Sequence, residues 1–230
     1  HITGGGNYAH FKKTLRDCRE PGYLISMDIH DFKIINSICG IIKGDETLKN
    51  IWRCIEKSLT SKDLAGHINA DRFAIYCRCD DKDEVIECIH KIGEGLKDIT
   101  EALKIPNIIP YYGISHWKHG KKVEEAYSEA NFAKNQVKER KDISYQFYSH
   151  EDTLKILENR AMEDEFAGAI SNGQFEIWYQ PKYNPVDNKL VGAEALVRWR
   201  GGDGKLISRA RCIPLCEKDG LMKTLDEYVF

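Results

Sequence analysis

The sequence predicts an α+β domain built on a mainly antiparallel sheet, and three observations carry that prediction. "YLISMDI" at 23–29 is a short apolar run with the length of a buried strand. "GHINADRFAIY" at 66–76 sets the turn formers Asn69 and Asp71 between Ile68 and Phe73-Ala74-Ile75-Tyr76, the pattern of a hairpin. Stretches with apolar residues at helical spacing lie between the strands, in the order strand, helix, hairpin, helix, strand, helix, strand.

The elements follow in turn. "GDETLKNIWRCIEKSL" (44–59) places Leu48, Ile51, Trp52, Ile55 and Leu59 on one helical face behind an Asp45-Glu46 start that suits the helix dipole. "EVIECIHKIGEGL" (84–96) aligns Val85, Ile89, Ile92 and Leu96 in a second helical stripe. "NIIPYYGIS" (107–115) reads as a strand interrupted by Pro110, hence an edge or a bulge. "VEEAYSEANFAKNQVKER" (123–140) is a helix with Val123, Tyr127, Ala130, Ala133 and Val137 inward, and "ISYQFY" (143–148) alternates like a final strand. Ser149-His150-Glu151-Asp152 then breaks the pattern, which puts a domain boundary near 150. Beyond it come a helix from Thr153 to about Asn172 with Gly173 as its stop, strands at 175–184 and 189–200 joined by a turn at 185–188, a glycine-rich loop at 201–204, and a helical segment at 212–230 broken near Gly220.

The chain has 230 residues, of which 42% are hydrophobic and 30% charged, so its length allows one large or two small domains. A net charge of −2 provides no general basic field for nucleic acid. No apolar run reaches the roughly 18 residues of a membrane helix, and no signal peptide opens the chain, so a cytoplasmic location is expected, with membrane anchoring left open for a longer parent. The chain opens His1-Ile2-Thr3-Gly4 without Met and is expected to be a piece of a longer protein. Its eight cysteines, at 18, 39, 54, 77, 79, 88, 212 and 216, form no CxxC, which favours buried reduced thiols over a zinc site.

Asp28 ends one strand and Asp71 sits at the hairpin tip. If those strands are neighbours, two carboxylates meet at one sheet edge, where with a backbone carbonyl they suit Mg²⁺. Asn36 and Asp45, placed in the following loop and helix start, are an amide and a carboxylate that together can read a guanine edge. Lys134 and Lys138, one helical turn apart, suit phosphates. Taken singly, Asp45 also reads as a first-turn charge and the lysines as a solvated face.

Several motifs in order and spacing resemble the GGDEF domains, the diguanylate cyclase fold, over about 1–148. "ITGGGNYAHF" (2–11) is similar to the family's opening segment, "SMDIHDFKIINSICGIIKGDETL" to its first signature, and "AYSEANFAKNQVKER" to its late helix, with "NADRF" (69–73) where the family has GGDEF. The resemblance implies a mixed, mainly antiparallel sheet flanked by helices. It implies metal binding by Asp28, the Ile29 carbonyl and Asp71, with Mg²⁺ or Mn²⁺. Phe32 and Lys33 would lie near the phosphates, Asn36 and Asp45 would read guanine, and Lys134 and Lys138 would hold phosphates. The departures point to a degenerate cyclase. Asn69 and Ala70 replace the two glycines, Ala70 adds a methyl group where backbone approaches ligand, and Arg72 replaces an acid beside the metal, where it repels the cation or holds a phosphate. His30 and Ser37 replace acids, and Thr60-Ser61-Lys62-Asp63 stands in place of the RxxD inhibition motif. A GTP-sensing or dimerising module is therefore expected, with active cyclase as an alternative.

Glu194 and Arg198 fall on one face of the strand at 189–200, and Gln180 lies on the preceding strand. In isolation they suit a phosphate and metal site or a salt bridge. "WYQPKYN" with "GAEALVRWR", and "CIPLCEKDGLM", resemble the opening of EAL domains, the cyclic di-GMP phosphodiesterases, over about 155–230, with Cys212 and Cys216 in place of Phe and Ala and Arg209 where that family usually has Pro. That resemblance implies the first part of a (β/α)₈ barrel. Glu194 would serve as a catalytic metal ligand in a two-metal site, Gln180 and Arg198 would hold the dinucleotide, and the reaction would be hydrolysis of cyclic di-GMP to pGpG. Such a barrel needs about 250 residues, of which roughly a third are here, so this chain alone is expected to be inactive. The expected whole is a bacterial cyclic di-GMP signalling protein with domains at 1–149 and 150–230, coupled through the helix at 153–172, with GTP and cyclic di-GMP as ligands and a homodimer as the assembly. The alternative is a non-enzymatic cyclic di-GMP or protein-binding scaffold.

Overall fold

The computed structural model describes residues 6–138, 140, 142–202, 204–208, 212, 217 and 223. The chain divides into two compact units, His1–Ser149 and His150–Phe230. In the first, the order is α1 (Tyr8–Asp17), β1 (Gly22–Ile29), α2 (Phe32–Cys39), α3 (Ile41–Ser58), β2 (Leu64–Asn69), β3 (Arg72–Cys77), α4 (Lys82–Leu103), β4 (Pro110–Trp117), α5 (Val123–Lys138) and β5 (Tyr145–Phe147). The strands form one sheet in the order β2-β3-β1-β4-β5, antiparallel except for the parallel β4–β5 pair. The protein is α+β, as its sequence predicts.

β1 is apolar without alternation because both faces of the sheet are covered. Ile25 and Met27 join Phe73 and Ile75 under α3 and α4, where Leu48, Ile51, Trp52, Ile55, Val85, Ile89, Ile92 and Leu96 complete the larger core. Leu24, Ala74 and Tyr76 face the other way, against Phe11 and Leu15 of α1 and Val123, Ala126 and Ala130 of α5. Each such leucine or isoleucine contributes about 1.5–3 kcal/mol by leaving water.

Four local expectations need correction. The segment after β1 is not a loop: Phe32–Cys39 is helical, so Asn36 lies on α2. Asp45 does not open a helix either. Gly40, with φ +83°, breaks the chain after α2, and α3 begins at Ile41, leaving no acid in its first turn. β4 is not an edge strand, since it lies between β1 and β5. Pro110 is tolerated because it is the first residue of the strand, and the ladder is joined just before it by the His30 amide donating to the Ile109 carbonyl at 2.9 Å. Tyr127 is only partly buried, and Ala126 takes the fully buried position on α5.

In the second unit, α6 (His150–Ser171) is followed by β6 (Phe175–Tyr183), β7 (Leu190–Arg200) and the short β8 (Leu206–Ile207), antiparallel in the order β6-β7-β8. The helix begins at His150 rather than Thr153, because Glu151 and Asp152 complement the positive end of the helix dipole instead of breaking it. Gly173, at φ +64°, ends it, and the Gln174 amide donates to the Ala169 carbonyl at 2.9 Å. Phe166, Phe175 and Trp199 pack with ring centroids 5.3–5.7 Å apart over Met162 and Ala169. The expected helix at 212–230, its break at Gly220, and Cys216 and Arg209 fall largely or wholly outside the described residues, as does the opening segment up to Gly5; Cys212 is described and buried. Among the described residues no helix is long and apolar enough to cross a membrane.

Candidate functional site

The hairpin tip and the end of β1 lie at one edge of the sheet. β1 and β3 are antiparallel neighbours with Met27 opposite Phe73, so Asp28 and Asp71 both stand just past that pair. Two loop residues at this edge have left-handed backbone: Asp31 (φ 50°), before α2, and Ala70 (φ 48°), in the hairpin turn. A Cβ in that region costs roughly 1–2 kcal/mol, so the local fold holds both turns against their own preference. The ring Nε2 of His67 donates to the Ala70 carbonyl at 2.8 Å and fixes the turn from inside the hairpin.

α5 brings the cation. β4 passes so close beneath it at Gly113 that a Cβ there would overlap the Ala130 carbonyl and the Lys134 amide. That approach sets Lys134 over the end of β1. Its side chain is 3% exposed, and its Nζ donates to Asp28 Oδ2 at 3.0 Å and lies 5.7 Å from the Tyr111 ring centroid. Asp28 Oδ1 accepts the Ile29 amide at 3.0 Å. Burial, followed by the charge of Asp28, pushes the Asp71 carboxyl up to about 6. Burial and the same carboxylate also push the Tyr111 hydroxyl above its ordinary range. Negative charge is thus concentrated here beyond what Lys134 neutralises.

The charge of Arg72 reaches Asp71 and draws its carboxyl down, against the larger effects of burial and Asp28. The Arg72 Nε donates to Asn69 Oδ1 at 2.8 Å, across the mouth of the hairpin. On the other side of the edge, Phe32 is buried at the start of α2 and Lys33 is exposed. Asn36 of α2 faces α3 at Gly44, where a Cβ would collide with the Asn36 amide oxygen, so the small residue brings Asn36 next to the turn that carries Asp45. The structure therefore gathers Asp28, Asp71 and Lys134 with the Ile29 backbone, and it sets Asn36 beside Asp45's turn of α3. Lys138 is exposed at the end of α5. Tyr111 went unnoticed in the sequence. Its place is set by register, since it is the Cα partner of Asp28 across β1 and β4, and no local signal marks that pairing. Among the described residues no group of three or more His, Cys, Asp or Glu side chains is gathered for a metal. The two carboxylates are hard oxygen donors of the kind that suits a divalent cation.

In the second unit, Gln180 and Glu194 are directly opposed on β6 and β7. Glu194 is exposed and its Oε2 lies 3.2 Å from Lys182 Nζ. Arg198 pairs across from Glu176 and stacks its guanidinium 5.5 Å from the Trp178 ring centroid. Opposed residues share a face, so Gln180, Glu194 and Arg198 lie on one side of this sheet, with Phe175 and Trp199 packed into the core on the other.

Comparison with known proteins identifies both parts of the chain. The family model described as diguanylate cyclase, GGDEF domain, matches residues 8–143, and that of the EAL domain matches residues 163–230. The cyclic di-GMP phosphodiesterase NbdA of Pseudomonas aeruginosa is 27% identical over 224 residues, covering 95% of this chain and 29% of that protein. The bifunctional diguanylate cyclase/cyclic di-GMP phosphodiesterase MucR of the same organism is 24% identical over 223 residues, 95% of this chain and 32% of that protein. The chain thus spans about a third or less of the length of these relatives. Among solved structures, the GGDEF domain of TpbB (YfiN) from Pseudomonas aeruginosa aligns with a TM-score of 0.57 at 23% identity, over 68% of this chain and 97% of that one. The S helix-GGDEF-EAL portion of Vibrio cholerae LapD, bound to c-di-GMP, aligns with a TM-score of 0.56 at 17% identity, over 99% of this chain and 55% of that one. At these identities the two structures speak for the fold alone.

Proposed function

Because the chain belongs to the diguanylate cyclase GGDEF-domain family and continues into an EAL domain, we propose that it is part of a cyclic di-GMP signalling protein in which residues 1–149 are a degenerate cyclase domain that binds GTP as a sensor and the EAL domain begun at 150–230 hydrolyses cyclic di-GMP to pGpG. The observation that carries this reading is the convergence of Asp28, Asp71 and Lys134 at one sheet edge. With the Ile29 carbonyl, the two acids would hold Mg²⁺ or Mn²⁺, and the bound ion would supply charge neutralisation for a triphosphate. Lys134 would then exchange its contact with Asp28 for a phosphate oxygen, Lys138 and Lys33 would reach outer phosphates, Phe32 would wall the site, and Asn36 with Asp45 would read the guanine edge.

Ala70 and Arg72 separate binding from synthesis. The Ala70 methyl group stands where a glycine would leave backbone open to ligand, and Arg72 is committed to Asn69. Cyclase chemistry also joins two such domains face to face, so a homodimer that holds nucleotide without making product is the expected assembly. In the second unit, Glu194 would be one ligand of the EAL metal site, with Gln180 and Arg198 holding the dinucleotide. The chain passes from the first unit directly into α6, the first element of the second, so α6 would be the coupling element between them.

A second reading, a non-enzymatic cyclic di-GMP or protein-binding scaffold, is favoured by one contact: Lys182 already neutralises Glu194 at 3.2 Å. Incubation of the chain with GTP and Mn²⁺, followed separately by nucleotide binding and by product chromatography, tests the proposal. Binding without cyclic di-GMP supports it. Cyclic di-GMP formation would show an active cyclase, and absence of binding would leave the domain a dimerising scaffold.

A further inference from the structure

Two thiols meet away from the carboxylate edge. Cys77 is the last residue of β3, at the opposite end of that strand from the Asp71 turn, and Cys88 lies in the second turn of α4. Their sulfurs are 3.6 Å apart, with the Cys77 thiol directed at Cys88 Sγ. Cys77 is buried and Cys88, packed against the same core, is only partly buried, so Cys88 is the more accessible of the two. A disulfide needs S–S of about 2.05 Å, so the sulfurs must close by roughly 1.5 Å, within reach of side-chain torsion. The third nearby thiol, Cys79, points instead at the Cys77 carbonyl, at 3.8 Å.

We propose that Cys77 and Cys88 are a reversible oxidation site, closed to a disulfide by hydrogen peroxide or another hydroperoxide. The Cys88 thiolate attacks one peroxide oxygen and the O–O bond breaks, giving the Cys88 sulfenic acid and hydroxide. Cys77 yields its proton to that hydroxide, and its sulfur attacks the sulfenyl sulfur, releasing a second hydroxide that takes up the proton lost by Cys88. The pair gives up two electrons, peroxide is reduced, and the sum is two thiols plus peroxide to one disulfide plus two waters. The hydrogen bond from Cys77 holds the Cys88 thiol below its ordinary value, and the Lys91 charge adds to this, against the opposing effects of burial, Asp63 and Glu87. Cys88 is thereby the attacking sulfur and Cys77 the resolving one. The bond would tie the end of β3 to α4, and it is independent of the nucleotide reading.

Tryptic cleavage separates the three thiols into FAIYCR (73–78), CDDK (79–82) and DEVIECIHK (83–91). The folded chain is treated with hydrogen peroxide, quenched with catalase, alkylated, digested and analysed by mass spectrometry. The expected product is FAIYCR joined to DEVIECIHK, lighter by two hydrogens than the separate peptides, taking up more than half of Cys88 and lost on reduction. The same link is expected in the Cys79→Ser chain. Recovery of Cys77 as a free thiol with Cys88 free or over-oxidised would overturn the proposal, and so would a link between CDDK and DEVIECIHK.

Discussion

Lys134 and Asp28 form a buried ion pair, 3.0 Å from Nζ to Oδ2, that ties α5 to the end of β1 with Asp71 alongside. Removing the cation leaves the two acids facing each other with only the more distant charge of Arg72 acting on Asp71. Lys134→Met is expected to lower folding stability by about 3 kcal/mol, the scale for breaking a buried pair. Adding Asp28→Asn should recover part of that loss. Urea unfolding of the single and double variants checks this, and a single variant as stable as the parent would mean the pair contributes nothing.

Gly113 is where α5 rests on β4. The Gly113→Ala methyl group would overlap backbone of Ala130 and Lys134, and backbone cannot swing aside as a flexible side chain does. A destabilisation of about 1–3 kcal/mol is expected, accompanied by weaker nucleotide binding because Lys134 is displaced. The same change at Gly93, where a Cβ meets nothing within 4 Å, should stabilise its helix slightly.

Ala70 holds φ at 48° in the hairpin turn. Ala70→Gly relieves that strain, worth roughly 1–2 kcal/mol, at the cost of a looser unfolded chain of about 0.4–1 kcal/mol. A net gain of about 0.5 kcal/mol is expected in denaturant unfolding. A loss near 1 kcal/mol, ordinary for Ala→Gly, would mean the turn carries no strain.

Burial and then the charges of Glu84 and Asp63 push the Cys79 thiol up to about 12. Its thiolate fraction in the folded chain should keep rising tenfold per pH unit through pH 10, while an unperturbed cysteine levels off above about pH 9. Iodoacetamide labelling of the CDDK peptide across pH 7–10, in the native and urea-unfolded chain, reads this directly. A native profile that levels off with the unfolded one would refute it.

Much of this architecture is legible in the residues. α4 and α5 follow from helical period, β1 from its continuous apolar run, and the Asp71 and β6–β7 hairpins from turn residues set between strand formers. What period cannot show is pairing. That Asp28 meets Asp71 required β1 and β3 to be neighbours, and Tyr111 entered the site only through the β1–β4 register. Lys134 read as a solvated lysine because nothing local reveals the Gly113 contact that buries it. α2 was missed although Phe32, Ile34, Ile35, Ile38 and Cys39 fall on one side of it, because Gly40 ends it after eight residues, barely two turns of period.

Under the proposed function, the altered hairpin still serves a nucleotide site. Calorimetric titration of GTP into the chain with Mg²⁺, repeated with Asp71→Ala, tests it most directly. Micromolar binding that the substitution abolishes is the predicted result. No heat at high micromolar GTP, or binding that the substitution leaves intact, would contradict it.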